Sequence, residues 1–392
     1  MTDWPTVSLG EVAEVSWGDT NTTKKSYSQS GFTAYSASGP DGYLPYFDFE
    51  KTGIVLSAIG VNCGQTWLAR GQWSCIKNTM RIWSSSSAVN TEYLYWATRE
   101  PDFWPKRGSA QPFISQADAR SIKILLPPLS VQKQIAKVLG ALDDKIETNR
   151  RMNETLEGMA QALFRDWFVD FGPTKAKIRR EKPYLASAIW KLFPNRLGSN
   201  GLPNGWERAT IGEEMEIIMG MSPKGSTYNE EKRGLPFFQG SADFSDRFPL
   251  PRKYCTEPIR IATKGDALIS VRAPVGAINQ ADRECCIGRG VSSVRSKDEF
   301  SSFTFYQIKA LQPLFERHNA DGTVFGSTTK SEIEKMPVIA PPSKLKRQFN
   351  SWAEALDDRI FANAEESRTL AETRDLLLPR LMSCDLSLGD KK

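Results

Sequence analysis

Histidine is almost missing: the 392-residue chain has one, His318. A proton relay or a metal cage built on imidazoles needs at least a second, so most His-based catalysis is excluded. The six cysteines, Cys63, Cys75, Cys255, Cys285, Cys286 and Cys384, include no CxxC pair. The four closely spaced soft ligands of a structural zinc site are therefore absent. Vicinal Cys285 and Cys286 fit a reducing compartment, where buried thiols act as small apolar residues. No apolar run approaches the roughly 18 residues of a membrane span. The opening MTDWPTVSLGEV lacks the basic and apolar stretches of a secretory signal. A soluble protein of the cytoplasm, with no membrane partner, is expected. Charge of one sign is also scarce, since 51 basic and 46 acidic residues leave only +5. With 40% hydrophobic and 25% charged residues the composition is that of a globular protein. The length predicts two or three domains.

Catalytic patterns are missing as well. In Gly220–Ser226, GMSPKGS, the lysine precedes the second glycine where a phosphate loop needs it to follow. There is no GxGxxG fingerprint and no GxSxG elbow. Leu126-Pro127-Pro128-Leu129 and Ala340-Pro341-Pro342-Ser343 lack the polar and aromatic residues that flank the prolines of an amino-methyltransferase motif. The chain reads as a binding module without chemistry of its own.

What is present is a duplication. Trp4-x-x-Val7-Ser8-Leu9-Gly10-Glu11-x-x-Glu14-Val15 matches Trp206-x-x-Ala209-Thr210-Ile211-Gly212-Glu213-x-x-Glu216-Ile217 at an offset of 202. At an offset of 214, Gly108 matches Gly322, Asp118 Glu332, Pro127-Pro128 Pro341-Pro342, and Gln134 Gln348. The same offset pairs Ala141-Leu142-Asp143-Asp144-Lys145-Ile146 with Ala355-Leu356-Asp357-Asp358-Arg359-Ile360, and Asn149 with Asn363. The second copy thus holds 12 extra residues. Residues 1–128 and 205–342 are rich in Gly, Pro, Ser and aromatics, with short apolar runs such as Gly53–Ser57 and Asp266–Val271 that read as buried strands. Each copy is expected to be a strand-rich recognition domain.

Past each Pro-Pro the pattern turns helical, because proline is tolerated only in a helix's first turn. A heptad seam runs through Ile135, Leu142, Asn149, Leu156 and Leu163, with Val138, Met152 and Met159 at the companion positions. Its counterpart is Phe349, Leu356, Asn363, Leu370 and Leu377, with Trp352. Leu129 to Phe168 amounts to about 60 Å of helix at about 1.5 Å per residue. Two seams in one duplicated chain predict an α+β fold in which two long helices, at 129–171 and 343–392, pair as an antiparallel coiled coil about a pseudo-twofold axis. Asn149 and Asn363 restrict its register. Packing of each helix on its own domain is the alternative. Residues 172–204, with four prolines and the cluster Lys175, Lys177, Arg179, Arg180 and Lys182, form a connector.

Each copy carries loops that mix basic, amide, hydroxyl and aromatic side chains able to neutralise phosphates or pair with base edges. In the first copy the candidates for DNA binding are Lys24, Lys25, Tyr27, Ser38, Asn62, Lys77, Lys106, Arg107 and Gln111. In the second they are Lys224, Ser226, Tyr228, Gln239, Arg272, Arg289, Arg317, His318 and Lys330.

The assembled strings resemble the DNA-specificity (S) subunit of type I restriction-modification systems over essentially the whole chain. They are Gly53–Ser57 with Trp73–Thr79, Met159–Phe171 (MAQALFRDWFVDF), Arg272–Gly276 with Cys286–Gly290, and Leu377–Ser383 (LLPRLMS). The resemblance implies two target-recognition domains, each reading half of a bipartite sequence in double-stranded DNA, with the helices as a ruler between the half-sites. It also implies a non-catalytic chain that binds no cofactor. Two modification (methyltransferase) subunits use S-adenosylmethionine to methylate adenine at N6, and a restriction/translocase subunit joins them. Trp167, Phe168 and Phe171 are the expected contacts with the modification subunits. Because the copies differ in length and in their loops, the site is expected to be asymmetric. A stand-alone DNA-binding regulatory or architectural protein is the rival reading. Residues 1–128 hold 11 basic and 11 acidic side chains, residues 205–342 hold 18 of each and residues 343–392 hold 9 of each, so the excess positive charge lies in 129–204. Attraction to phosphate must then come from how charge is laid out on each domain.

Overall fold

The structure, a computed structural model, describes residues 4–315 and 327–383. These form two compact units: the described parts of 1–149 and 366–392, and of 150–365. The candidates Arg317 and His318 lie outside the described residues.

In unit 1, β1 (Thr6–Ser8) pairs with β10 (Lys123–Leu125). One four-stranded sheet has the order β2 (Ala13–Trp17), β9 (Thr79–Ser84), β6 (Gly53–Ser57), β7 (Thr66–Ala69); the other has β4 (Gly39–Leu44), β3 (Phe32–Ser36), β8 (Gln72–Cys75), β5 (Phe49–Glu50). All five residues of β6 are buried, as a short apolar run bounded by glycine predicts. Unit 2 repeats the plan. Strands β11 (Glu207–Thr210) and β21 (Pro337–Ala340) pair, and a sheet has the order β12 (Met215–Met219), β20 (Val291–Ser296), β17 (Ala267–Ser270), β18 (Ile278–Gln280). A second sheet has the order β13 (Tyr228–Asn229), β15 (Tyr254–Cys255), β14 (Leu235–Phe238), β19 (Cys285–Ile287), β16 (Ile261–Ala262). The crossover pairs β3 with β8 and β14 with β19 are parallel in both units. The matched carboxylates of the repeat cap helices: Glu11, Glu213, Asp118 and Glu332 accept from the backbone N–H of Ser8, Thr210, Ser115 and Thr329 at 2.7–3.3 Å.

Two long helices follow the Pro-Pro pairs, Leu129–Phe164 and Ser343–Met382. The first continues as a π-helical turn, Arg165–Val169, and stops where Phe171 takes a left-handed φ of 55°. Within each unit the two helices run antiparallel. In unit 1, Arg374 reaches Asp143 (2.5 Å) and Glu366 reaches Lys145 (3.1 Å). Asn149 Nδ2 donates there to Glu366 Oε2 (2.8 Å) and Ser367 Oγ (3.3 Å). In unit 2, Asn363 Nδ2 donates to Asn153 Oδ1 (2.8 Å) and Asn153 Nδ2 to the Ile360 carbonyl (3.2 Å). Asn149 and Asn363 are both buried, as their seam positions predict.

The seam is not a uniform heptad stripe. Ile135 and Leu139 join Leu378 and Leu381 in the core of unit 1, and Phe349 joins Phe164 in that of unit 2. Val138, Leu142, Leu156, Leu163, Leu356, Leu370 and Leu377 are only half-buried. Met152, Met159 and Trp352 are exposed, contrary to their heptad assignment, because the helix faces follow the domain cores they pack on. Trp167 and Phe168, expected at a partner surface, are instead buried among Phe193, Trp206, Phe303 and Phe349, with Phe171 packed against the same core. Their aromatic area is used inside unit 2 and offers nothing to dock on. The connector also contributes to that core through Ile189, Phe193 and Leu202. One of its cations turns inward, with Lys177 donating to the Phe193 carbonyl at 2.5 Å.

Most of the extra length falls between β14 and β17, and that segment delivers Arg247 to a buried cluster. Only 4% exposed, Arg247 contacts Asp357 (2.6 Å) and Glu157 (3.6 Å) and stacks 3.6 Å above the Phe305 ring. Tyr306 Oη also donates to Asp357 (2.9 Å), and Lys309 pairs with Glu157 (2.9 Å). Burial raises the Asp357 pKa, and Arg247 opposes that rise. Asp143, the matched residue of unit 1, has Arg374 and Arg99 instead.

Two outcomes follow from these contacts. Arg247→Met leaves Asp357 buried without its cation, and urea unfolding at pH 7 should show a loss of about 3–5 kcal/mol. That deficit should shrink as pH falls, because a carboxyl whose folded pKa is raised binds its proton more readily in the native state, and the neutral acid needs no counter-charge. Asn149→Leu with Asn363→Leu should raise the melting temperature, since Glu366 keeps Lys145 and Asn153 keeps the Ile360 carbonyl; a lower melting temperature would show that the asparagines stabilise the pair.

Candidate nucleic-acid interface

The loops that carry the predicted residues are held by one pattern of main-chain hydrogen bonds, present in both units. In unit 1, Ser57 N donates to Gln65 O (2.8 Å) and Gly64 N to Ser57 O (2.9 Å), closing the loop after β6. Ala58 N donates to Asn78 O (3.0 Å), Ile114 N to Ala58 O (2.9 Å), and Gly18 N to Thr79 O (3.0 Å). In unit 2 the corresponding bonds run from Ser270 N to Ala277 O, Gly276 N to Ser270 O, Val271 N to Gly290 O, Thr328 N to Val271 O and Gly220 N to Val291 O, all 2.9 Å. Glycine is required where β2 and β12 end. A Cβ on Gly18 would lie 2.8 Å from the Cys75 carbonyl oxygen, and one on Gly220 would lie 2.2 Å from that of Gly288.

This net brings most of the predicted residues of unit 1 onto adjoining loops. Lys24 Nζ pairs with Asp41 (2.5 Å) and reaches Ser38 Oγ (3.3 Å). Tyr27 Oη donates to Asp41 (2.8 Å), and Asn62 Nδ2 to the Ala37 carbonyl beside Ser38 (3.1 Å). Burial pushes the Asp41 carboxyl up, but bonds from Lys24, Ser36 and Tyr27 outweigh it and hold the pKa below the usual range. Burial, then the bond to Asp41, raises the Tyr27 phenol. Lys77 N donates to the Thr22 carbonyl (3.2 Å), beside the turn that carries Lys24 and Lys25. Lys106, Arg107 and Gln111 sit on the loop whose Pro112 carbonyl accepts from Gly60 N (2.9 Å).

In unit 2, Gln239, Arg272 and Arg289 are exposed on neighbouring turns. Gly288 N donates to Phe238 O (2.8 Å), and Arg289 N lies 3.5 Å from Ser222 Oγ. Arg272 forms a bridge with Ser327. Lys224 and Ser226 are exposed at a short turn, whereas Tyr228 stacks on Phe237 and donates to the Pro223 carbonyl (2.8 Å). Lys330 lies in the short helix Lys330–Glu334, beyond the loops proper.

The cations are not equivalent electrostatically. Lys24, Lys106, Arg107 and Lys330 are paired with Asp41, Asp102, Asp118 and Glu334. Lys25, Lys77, Lys224, Arg272 and Arg289 have no carboxylate within 4.0 Å among the described residues. Matching the two nets also shows what the sequence reading missed: Lys77 and Arg289 hold the same place, at an offset of 212 that lies between the two offsets of the repeat. The loop between the fixed points is Ala58–Cys63 in unit 1 and Val271–Val275 in unit 2, different in length and in every side chain. Val61, fully exposed at the tip of the first, had no sequence signal. No group of three or more metal-ligating side chains occurs among the described residues.

The family model for the type I restriction modification DNA specificity domain matches twice, at residues 1–158 and 203–366. The putative type I restriction enzyme MjaX specificity subunit of Methanocaldococcus jannaschii is 33% identical over 282 residues, which are 71% of this chain and 62% of that protein. The type I restriction enzyme HindI specificity subunit of Haemophilus influenzae is 24% identical over 71% of this chain and 72% of its own length. In fold, the chain is similar to the crystal structure of the type I restriction-modification S subunit from M. genitalium, with a TM-score of 0.62, 17% identity, and coverage of 97% of this chain and 96% of that one. With two copies of the model covering most of its length, the chain belongs to the family of type I restriction modification DNA specificity domains.

Proposed function

We propose that the chain is the sequence-reading subunit of a type I restriction-modification complex. Residues 1–128 read one half of a bipartite site in double-stranded DNA, and residues 205–342 read the other. The helices of 129–171 and 343–392 set the spacing and hold two modification subunits. In this reading the chain is not itself an enzyme and binds no cofactor; S-adenosylmethionine belongs to the modification subunits, and a restriction/translocase subunit completes the assembly in the cytoplasm. The observation that carries the reading is the shared main-chain net bearing different loops. A fixed frame with variable side chains is what two readers of different sequences require. Met159 and Trp352, exposed on the long helices, replace Trp167 and Phe168 as the residues proposed to meet the modification subunits.

Gel shift of the chain with and without the modification subunits tests this: specific binding should need them, and specific binding by the chain alone would favour a stand-alone regulator. Methylome sequencing should give an asymmetric bipartite motif that disappears when the gene is deleted; a palindromic motif would overturn the assignment of different half-sites. Arg272→Gln and Asn62→Ala should each relax one base position in only one half-site, at a cost of about 1–3 kcal/mol.

A further inference from the structure

The matched position of Lys77 and Arg289 carries a consequence for how the two units hold DNA. In unit 1 the residue before Lys77 donates its N–H to Tyr35 O (2.9 Å), and the residue after it accepts from Ala58 N. In unit 2 the residue before Arg289 donates to Phe238 O (2.8 Å), and the residue after it accepts from Val271 N. Both side chains therefore start from a turn pinned on each side, and both are exposed. Neither has a carboxylate within 4.0 Å among the described residues, whereas nearby Lys24 and Lys106 are neutralised within their own unit. The other open cations are not matched. Lys25 and Lys224 correspond to Ser226 and Thr23 by the turn bonds Ser26 N to Thr23 O and Thr227 N to Lys224 O, and Arg272 belongs to the loop that differs between units.

What recurs at one place while the rest of the loop surface changes must meet something the two half-sites have in common. Base edges differ between half-sites, whereas the phosphate backbone does not. The residue type agrees, since lysine and arginine share a charge but not the geometry of a fork: a phosphate accepts either alike, whereas exchanging one for the other at a bidentate base contact is not conservative. Resting on the reading under Proposed function, we propose that Lys77 and Arg289 are equivalent backbone anchors, each neutralising a DNA phosphate in its own half-site without reading its sequence.

The test is DNA binding by the complex assembled with modification subunits, using Lys77→Gln, Arg289→Gln, Lys77→Arg and Arg289→Lys, with thermal unfolding of each variant to show an intact fold. Each Gln variant should lose affinity for the target and for unrelated duplex by the same factor. The fall in affinity between 50 and 200 mM salt should shrink about threefold for each lost contact. The charge-conserving variants should bind as the parent does, and all four should leave the methylated motif unchanged. A changed motif, or loss of affinity in Arg289→Lys comparable to that in Arg289→Gln, would make the residue a base reader and overturn the proposal. Unchanged affinity and salt slope in the Gln variants would overturn it as well. A parent complex that prefers no sequence would defeat the functional reading itself, a result separable from either.

Discussion

Each unit is completed by helix from both ends of the duplicated sequence. Leu378 and Leu381 share a core with Leu139 and Ile135, and Phe349 packs edge-on against Phe164 at 5.4 Å. Hydrophobic burial at these points is undirected, and the ion pairs add the direction. Asp143 with Arg374, and Asp357 with Arg247, hold the helices at one rotation about their axes. Charges so placed contribute specificity more than stability, because their desolvation offsets much of the Coulomb gain.

That scaffold frees the loop surface from structural duty. The bonds that frame the loops are made largely by main-chain groups, so the side chains between the fixed points can differ. Even charge is handled locally, as several surface cations are cancelled by carboxylates a few ångströms away. Net neutrality of each recognition domain is thus a sum of short-range pairs plus a few cations left open.

The duplication, the strand-rich domains and the two helices were legible in the sequence because each leaves a period or a matched string. The capping carboxylates Glu11, Glu213, Asp118 and Glu332 are conspicuous for the same reason: a cap needs one residue type at one spacing. The heptad reading went astray at Met152, Met159 and Trp352, where period alone does not say which face meets a domain core. Trp167 and Phe168 could not be assigned from sequence, since an apolar run looks alike in a core and at an interface. The correspondence of Lys77 and Arg289 escaped because length changes on either side displaced it from both offsets, and only the hydrogen-bond partners restore it.

Arg247 bears on how such chains can change. It comes from the segment that lengthens the second domain, yet its counter-charges Asp357 and Glu157 belong to the two long helices. Transplanting a different recognition domain onto these helices would therefore leave acidic groups stranded unless the newcomer brought a cation to the same depth, or the helices lost the acids. Compatibility between a domain and its supporting helices is set by this hidden charge match, which comparing the exposed loops would never reveal.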